Sequence, residues 1–454
     1  MDNNFQNLTR DLPEIIVTSI NMEEPNESIN IYFGDFKLTR DNKSINLNGS
    51  IYLEWLPNKK VRFKGTVIEN NCDLNDLFNA KETFDLFIND LILGACHLSG
   101  TSLGGETHLE GVMIKNIVYG DKSVPVSKIH FNIPNLRDFF GDPVKCTKEA
   151  GKLNVSRSRL VFENDEYSIR IDRLINFKNQ YDLLSTKGGY IFLYSGEIIR
   201  MNGSVHYDEM KELVSCFSFF LSFLNGRRCS LYVLQGIFKE EILWTDYTPY
   251  ATDLYKTVFS WPQHHSIEGL NLLWKRFSDL WKDDNDRDFL ISAIHWYVEA
   301  NSNSGYTEGS IIMTQTGLEL IYNWLVIEKK KLIYGKDVDN ISASNKIRLL
   351  LSQISLKNDL PDSLKLLRVY ITTNGFVDGV EAFVQIRNAL VHSQEEKRKK
   401  LQITDGMVLY EALELGLWYL ELSILNILNF EGNYQFRCSD KTWAGTNEIS
   451  VPWI

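Results

Sequence analysis

The chain has 454 residues, 44% of them hydrophobic and 12% aromatic, which is enough for two or three domains with real apolar cores. Its formal net charge of −11 excludes a surface that holds nucleic acid through overall positive charge, so any RNA contact must use a local basic patch. The six cysteines (Cys72, Cys96, Cys146, Cys216, Cys229 and Cys438) form no CxxC pair, and Cys96-His97 and His264-His265 lack further ligands at zinc spacing; this predicts reduced, mostly buried thiols, no metal and no cofactor.

The N-terminus is acidic and polar and carries no signal-peptide pattern. From Asp11 onward the pattern is β. Alternating apolar and polar residues predict strands over Ser28–Lys37, Ile45–Leu56 and Val61–Val67, with a turn at Pro57-Asn58. Further strand-like runs are Phe84–Leu93, Thr107–Tyr119, Lys128–Ile133, Ser158–Phe162, Tyr167–Ile171 and Tyr190–Arg200. Many short strands with glycine punctuation predict a β-sandwich or a curled antiparallel sheet, divided near 143–151. Gly100–Gly105 is glycine-rich but lacks the Lys-Ser/Thr of a phosphate loop and predicts a hairpin.

At Tyr207 the period changes to that of a helix, running to Leu224 and stopped by Asn225-Gly226, with a strand over Ser230–Phe238 after it. Beyond Ser260 the pattern is helical: Ile267–Lys282, Arg287–Ser302, Thr307–Lys331, Ala343–Ser355, Pro361–Val369, Val377–Ser393 and Thr404–Phe430. The apolar run Val214–Leu224 is too short to span a bilayer, and Met407–Phe430 carries Glu411, Glu414 and Glu421, so the chain reads as cytoplasmic. The expected organisation is α+β. A β-rich sensor or regulatory region (11–240) precedes an all-α helical bundle (260–430), and an irregular tail (431–454) packs on the bundle.

The most informative stretch is Arg387-Asn388-Ala389-Leu390-Val391-His392. On a helical wheel Val380, Phe383, Val384, Leu390 and Val391 form one apolar stripe, and Arg387 falls in its middle. A buried, unpaired guanidinium is too costly to be packing filler, so Arg387 must meet a carboxylate, a partner chain or a phosphate. Asn388 and His392, four residues apart, share the flank beside the stripe. Glu319, set among Leu318, Leu320 and Ile321, is one candidate countercharge; Glu411, Glu414 and Glu421 read mainly as a solvated helix stripe. Two basic runs stand out. Lys329–Lys331 reads as a solvated helix end, and Lys397-Arg398-Lys399-Lys400, five residues after His392, is the candidate RNA contact. Lys346 and Arg348 read as surface charges. A second Arg–His pair at this spacing, Arg200 and His206, contains Gly203 and runs from a strand through a turn, so it reads as a chance match.

The 387–392 segment resembles the Arg-x(4–6)-His signature of the HEPN superfamily, including the polar residue after the arginine. The layout over Ser310–Asn429 resembles the ApeA-type subset, which joins a β-rich N-terminal domain to a C-terminal HEPN domain. The resemblance implies a metal-independent endoribonuclease of the phage-defence, abortive-infection type. RNA, with transfer RNA as the analogue, would be the substrate, and a phage-derived activator would act at the N-terminal region. In that chemistry His392 transfers protons and Arg387 clamps the phosphate, because imidazole titrates near neutrality and guanidinium forks onto phosphate oxygens. Asn388 orients the imidazole or the phosphate. In an ideal helix Arg387 and His392 point about 140° apart, and one chain supplies one motif histidine where both an acid and a base are wanted. A homodimer that faces two copies of the segment across a cleft answers both points, as the resemblance also implies. Two other readings stay open: a non-catalytic HEPN module binding a nucleotide or protein, and a scaffold without a site.

Overall fold

The computed structural model of the chain describes residues 11–71, 82–103, 106–115, 117–147, 153–391, 405–441, 443 and 445–454. These residues form a β-rich N-terminal region followed by a helical C-terminal region, an α+β chain. They divide into two compact units. The first holds residues up to Arg137, Gly141–Ser215 and Cys229–Lys256; the second holds Asp138–Phe140, Cys216–Arg228 and Thr257–Ile454.

The first unit contains a closed six-stranded barrel: β1 (Ile29–Arg40), β2 (Lys43–Glu54), β3 (Lys60–Asn70), β4 (Phe84–Ile88), β5 (Leu91–Leu103) and β6 (Thr107–Lys115). The order is β1-β2-β3-β6-β5-β4, and β1 closes onto β4 through Lys37↔Phe87, Leu38↔Leu86 and Thr39↔Asp85. Closure gives every barrel strand a partner on both sides. The alternation seen in the sequence is the inside–outside alternation of the barrel: Leu38, Ile45, Leu47, Ile51, Leu53, Val61, Leu86 and Leu109 are all fully buried. Gly111 is required where β6 crosses Phe63, since a Cβ there would stand 2.2 Å from the phenyl ring. The run Phe84–Leu93 is two strands. Asn89 and Asp90 both take left-handed φ, 47° and 64°, the pair that a tight hairpin turn demands.

The rest of the β structure is one eight-stranded antiparallel sheet, β7-β14-β13-β8-β12-β11-β10-β9. Its strands are β7 (Val118–Gly120), β8 (Lys128–Pro134), β9 (Asp142–Thr147), β10 (Leu153–Glu163), β11 (Tyr167–Arg173), β12 (Phe192–Arg200), β13 (Tyr232–Phe238) and β14 (Glu241–Asp246). The expected sandwich or curled antiparallel sheet is therefore a closed antiparallel barrel together with an open antiparallel sheet. The expected division near 143–151 is corrected: β9 and β10 pair there from Leu153↔Thr147 to Arg159↔Asp142, and the change of sheet falls between Lys115 and Val118. One sheet face carries Ile129, Phe131, Ile133, Ile169, Ile171 and Ile198, all fully buried. The other carries Ser168, Arg170, Asp172, Ser195, Glu197, His130 and Asn132. A short helix, α1 (Phe177–Lys187), joins β11 to β12; with apolar burial limited to Phe177 and Leu184, it had no legible stripe.

Helix α2 (Tyr207–Asn225) gives its first half to the first unit and its second half to the second. In the second unit Phe217 and Phe220 meet Trp274 at 5.2 and 5.3 Å between ring centres, and Phe223 meets Trp261 at 5.2 Å. These rings form an aromatic core. The helices follow as α3 (Leu270–Trp281), α4 (Asp284–Asn301), α5 (Tyr306–Tyr322), α6 (Asp337–Asn340), α7 (Ala343–Gln353), α8 (Lys365–Asn374), α9 (Gly379–Val391) and α10 (Gly406–Ile427). Helix α5 continues as a π-helical stretch over Asn323–Lys329, where Trp324 stacks on Phe289 at 4.2 Å and Lys329 pairs with Asp286 at 2.5 Å. Lys329 is therefore an ion-pair partner and not merely a solvated end. The tail packs through a two-stranded ribbon, β15 (Asn433–Gln435) with β16 (Glu448–Ser450). Among the described residues no helix is long and apolar enough to cross a membrane, and Cys96, Cys146, Cys216, Cys229 and Cys438 are buried.

Candidate functional site

Helix α9 begins with a reciprocal cap. The Asp378 carboxylate accepts from the Glu381 N–H at 2.8 Å, and the Glu381 carboxylate accepts from the Val377 N–H at 2.8 Å. Arg348 of α7 grips the same aspartate with two parallel bonds, Nε to Oδ2 at 2.7 Å and Nη2 to Oδ1 at 2.9 Å. Arg348 is thus a structural clasp, where a surface charge was expected. Burial pushes the Asp378 carboxyl up, but the bonds from Arg348 and from the Glu381 and Val380 N–H groups outweigh it and hold the carboxyl below the usual range. A carboxyl depressed by folding stabilises the fold above its unfolded value of about 3.9, and that contribution is lost as pH falls through the lower folded value. Asp378→Ala is expected to destabilise the helical unit by about 1–3 kcal/mol. Urea titrations should also show a shallower acid loss below about pH 4 in the variant than in the wild type.

Downstream of the cap, Val380, Ala382, Phe383, Val384 and Ile386 are buried. The predicted stripe continues only in part, because Leu390 is half-buried and Val391 is 45% exposed. Three tight crossings fix the direction of the bundle. A Cβ on Gly416 of α10 would meet Phe383 at 2.6 Å and Thr314 of α5 at 2.9 Å. One on Gly317 would meet Leu420 at 3.1 Å, and one on Gly379 would meet Leu415 at 2.8 Å. Helices α5 and α10 therefore run parallel. Helix α9 runs against α5: its start, Asp378, is held by Arg348 of α7, whose neighbour Lys346 lies over the Tyr322 ring at the end of α5 at 5.8 Å, while Phe383, further along α9, lies back at the level of Thr314.

This register separates two residues that were expected together. Arg387 lies four residues past Phe383 toward one end of the bundle, and Glu319 five residues past Thr314 toward the other. At 1.5 Å per residue they stand about 13 Å apart along the axis. Glu319 instead accepts from Gln315 Nε2 at 2.7 Å. The other carboxylates are also committed elsewhere. Glu411 accepts from the Leu367 N–H at the start of α8 at 2.7 Å. Glu414 and Glu421 meet Arg437 of the tail, at 3.1 and 2.7 Å. The stripe expected to be solvated is thus partly core: Glu421 is fully buried and also accepts from the Tyr297 hydroxyl at 2.9 Å.

Arg437, with a side chain 2% exposed, is the residue that sequence reasoning missed. Besides both glutamates it donates to Asn301 Oδ1 at 2.6 Å and lies 4.3 Å from the Phe259 ring centre. Desolvation opposes its charge, but Glu421 and Glu414 outweigh it and hold its pKa well above the ordinary value. Burial pushes the Glu414 carboxyl up against the pull of Arg437. The only sequence signal was a lone arginine between Phe436 and Cys438.

Arg387 is left without a carboxylate among the described residues. Its hydrogen bond is a long one to the neighbouring Asn388 Oδ1, 3.4 Å, and its Nε is buried without a partner. Level with it on α5 is Ser310, fully buried, whose hydroxyl also lacks a partner. At the same end of the bundle Tyr306, Tyr410, Met407 and Val391 are exposed. Their aromatic and apolar surface carried no signal in the sequence, because each continues a helical stripe that reads as core. His392 and Lys397–Lys400 lie outside the described residues. Arg200 forms an ion pair with Glu209 at 2.9 Å, which gives it a structural partner. Among the described residues no group of three or more His, Cys, Asp or Glu could hold a metal ion.

Two stretches of the chain resemble known domains. Residues 283–448, from α4 through β16, match the model of the YopA C-terminal domain. Residues 121–258 match that of the YopA central domain. Over 436 residues the chain is 26% identical to the SPbeta prophage-derived uncharacterized protein YopA of Bacillus subtilis (strain 168), covering 94% of this chain and 95% of that protein. No solved structure matches the chain. The stretch similar to the YopA C-terminal domain holds Arg348, Asp378, Arg387 and Arg437, so the clasp, the open arginine and the buried ion cluster all fall within it.

Proposed function

We propose that this protein is a metal-independent endoribonuclease of the HEPN type, acting in the cytoplasm. The observation that carries the reading is Arg387: a half-buried guanidinium with a bare Nε and no countercharge among the described residues, at an end of the bundle that also exposes Tyr306 and Tyr410. A cation left open in this way suits a phosphate, which supplies the charge and the planar acceptor pair that the fork requires. In the proposed reaction a base removes the proton of an RNA 2′-hydroxyl, and the 2′-oxygen attacks the adjacent phosphorus. The bond to the 5′-oxygen breaks, and that oxygen takes a proton from an acid. The products are a 2′,3′-cyclic phosphate and a 5′-hydroxyl. His392 moves the protons, Arg387 stabilises the added phosphorane charge, and Asn388 orients the pair. Lys397, Arg398, Lys399 and Lys400 hold the RNA backbone, and transfer RNA is the substrate by analogy.

A homodimer supplies the second histidine. Val391, one helical turn on from Arg387, and Met407, at the start of α10, are apolar and exposed and fit the face on which a second copy would sit. The Bacillus subtilis relative is prophage-derived, a setting that suits a nuclease deployed between phage and host, with the N-terminal region as the regulator. The test is a digest of total RNA by the purified protein in EDTA, with product ends mapped. Cyclic phosphate ends support the reading. An absolute need for added divalent metal, or 3′-hydroxyl ends, would reject it.

Arg387→Lys gives a finer prediction. It keeps the charge but loses the fork. The variant is expected to fold as the wild type does, by circular dichroism, and to cleave at least about 10-fold more slowly per folded molecule. A rate near that of the wild type would make Arg387 a structural cation and favour a non-catalytic binding module.

A further inference from the structure

The polar face of the eight-stranded sheet is covered by the chain's own N-terminal segment, and the contacts advance strand by strand. Ile15 N–H donates to Lys145 O at 3.0 Å and Lys145 N–H to Pro13 O at 2.9 Å, on β9. Arg159 of β10 donates Nη2 to Glu14 O at 2.7 Å. Asp172 of β11 accepts from the Ile16 N–H at 2.8 Å, and Ser195 of β12 donates to Ile16 O at 2.6 Å. The Thr18 hydroxyl donates to Asn132 Oδ1 of β8 at 2.6 Å, and the Ser19 hydroxyl to Gln235 Oε1 of β13 at 3.0 Å. Six neighbouring strands thus each offer a polar group to successive residues of one extended segment. Asp172, Ser195 and Asn132 are cross-strand neighbours in register, and all three are at most 1% exposed.

A buried row of carboxylate, hydroxyl and amide on a sheet face is costly unless each group is matched. Arg159 of β10 pairs with Asp172, Nε to Oδ1 at 3.0 Å and Nη2 to Oδ2 at 2.6 Å, and the segment supplies the remaining matches, chiefly with its backbone. Of residues 13–19 only Ile16 and Thr18 are buried, Ser19 reaches Gln235 from an exposed position, and Val17 is 61% exposed. The face therefore reads an extended backbone plus a small β-branched residue and a hydroxyl two positions later. That is the chemistry of peptide recognition, in which the main chain gives affinity and alternate side chains give choice.

We propose that this sheet face is a receptor for an extended peptide of the pattern Ile-x-Thr, that residues 13–19 occupy it in cis, and that a partner's segment of the same pattern takes their place. The segment is held mainly by hydrogen bonds and buries only Ile16 and Thr18 of its seven residues, so core packing ties it down less than the strands beneath it. The inference concerns the first unit and stands apart from the nuclease reading.

The test uses the full chain with a protease site inserted between the exposed Glu23 and Glu24. After cleavage, a labelled synthetic peptide of residues 11–22 is added, and binding is followed by fluorescence anisotropy, with fold checked by circular dichroism. The expected result is saturable uptake of the peptide with release of the native segment. A Thr18→Val peptide should bind about 10-fold more weakly, since it leaves Asn132 Oδ1 buried without a donor. A scrambled peptide should not bind. The proposal is overturned if the nicked chain keeps its own segment and takes up no peptide, or if the scrambled peptide binds equally well. Unfolding upon nicking would overturn it too, because the segment would then be part of the core and not a ligand of it.

Discussion

His392→Ala is expected to lower the RNA cleavage rate by a factor of about 10²–10⁴, the usual contribution of a positioned general acid or base. In sequence the residue follows directly on Val391, the last residue of α9, and stands five positions after Arg387. Imidazole is the side chain best suited to give and take protons near neutrality, and the motif supplies one per chain. The measurement is the cleavage rate of the purified variant beside the wild type, at matched concentration and with equal thermal stability. Strains overproducing the two proteins should differ in the same sense, the wild type slowing growth and the variant not. Equal rates and equal growth would remove His392 from the chemistry and, with it, the nuclease reading.

Arg437→Met is expected to destabilise the helical unit by about 3–5 kcal/mol, the cost of breaking a buried ion cluster by removing one partner. Methionine fills much of the volume, so the loss arises mainly from charge. Glu421, fully buried, and Glu414, with a side chain 14% exposed, would face each other without a cation. Asn301 Oδ1 would lose its donor. A unit of this size shifts by about 2–4 °C per kcal/mol, so the melting temperature should fall by on the order of 10 °C. The sign of the pH dependence follows. Without Arg437 the Glu414 carboxyl, already pushed up by burial, would lose the pull that opposes the rise and stand further above its unfolded value of about 4.3. Groups raised by folding favour the fold at low pH and cost it stability as pH rises through the raised value. The gap between variant and wild type should therefore narrow between pH 7 and pH 5. Adding Glu421→Gln should recover part of the loss. A variant that melts within 2 °C of the wild type at pH 7 would show, on the same conversion, that the cluster contributes little.

The helices were legible because their stripes are long and their stops are chemical. Tyr207–Asn225 ends before Gly226, and Gly379–Val391 begins on an Asp-x-x-Glu cap, both visible as residue types at fixed spacing. The barrel strands were legible as alternation, yet their closure was not, since β1 meets β4 across more than forty residues that carry no pairing code. The hairpin at Asn89-Asp90 was missed because apolar residues flank the turn on both sides. In the candidate site Arg387 was legible as a misfit in a stripe. The glutamates were not assignable, because a periodic carboxylate looks the same whether water or Arg437 faces it.

By itself the sequence determined the class of each half, β then α, and singled out Arg387-Asn388 and His392, since periodicity and residue chemistry are local properties. The tertiary structure decided which charges meet. The antiparallel register of α9 against α5 carries Glu319 about 13 Å from Arg387, while the tail, remote in sequence, brings Arg437 onto Glu414 and Glu421. Pairing energy depends on distance and burial, and both arise only when segments far apart in the chain are packed together.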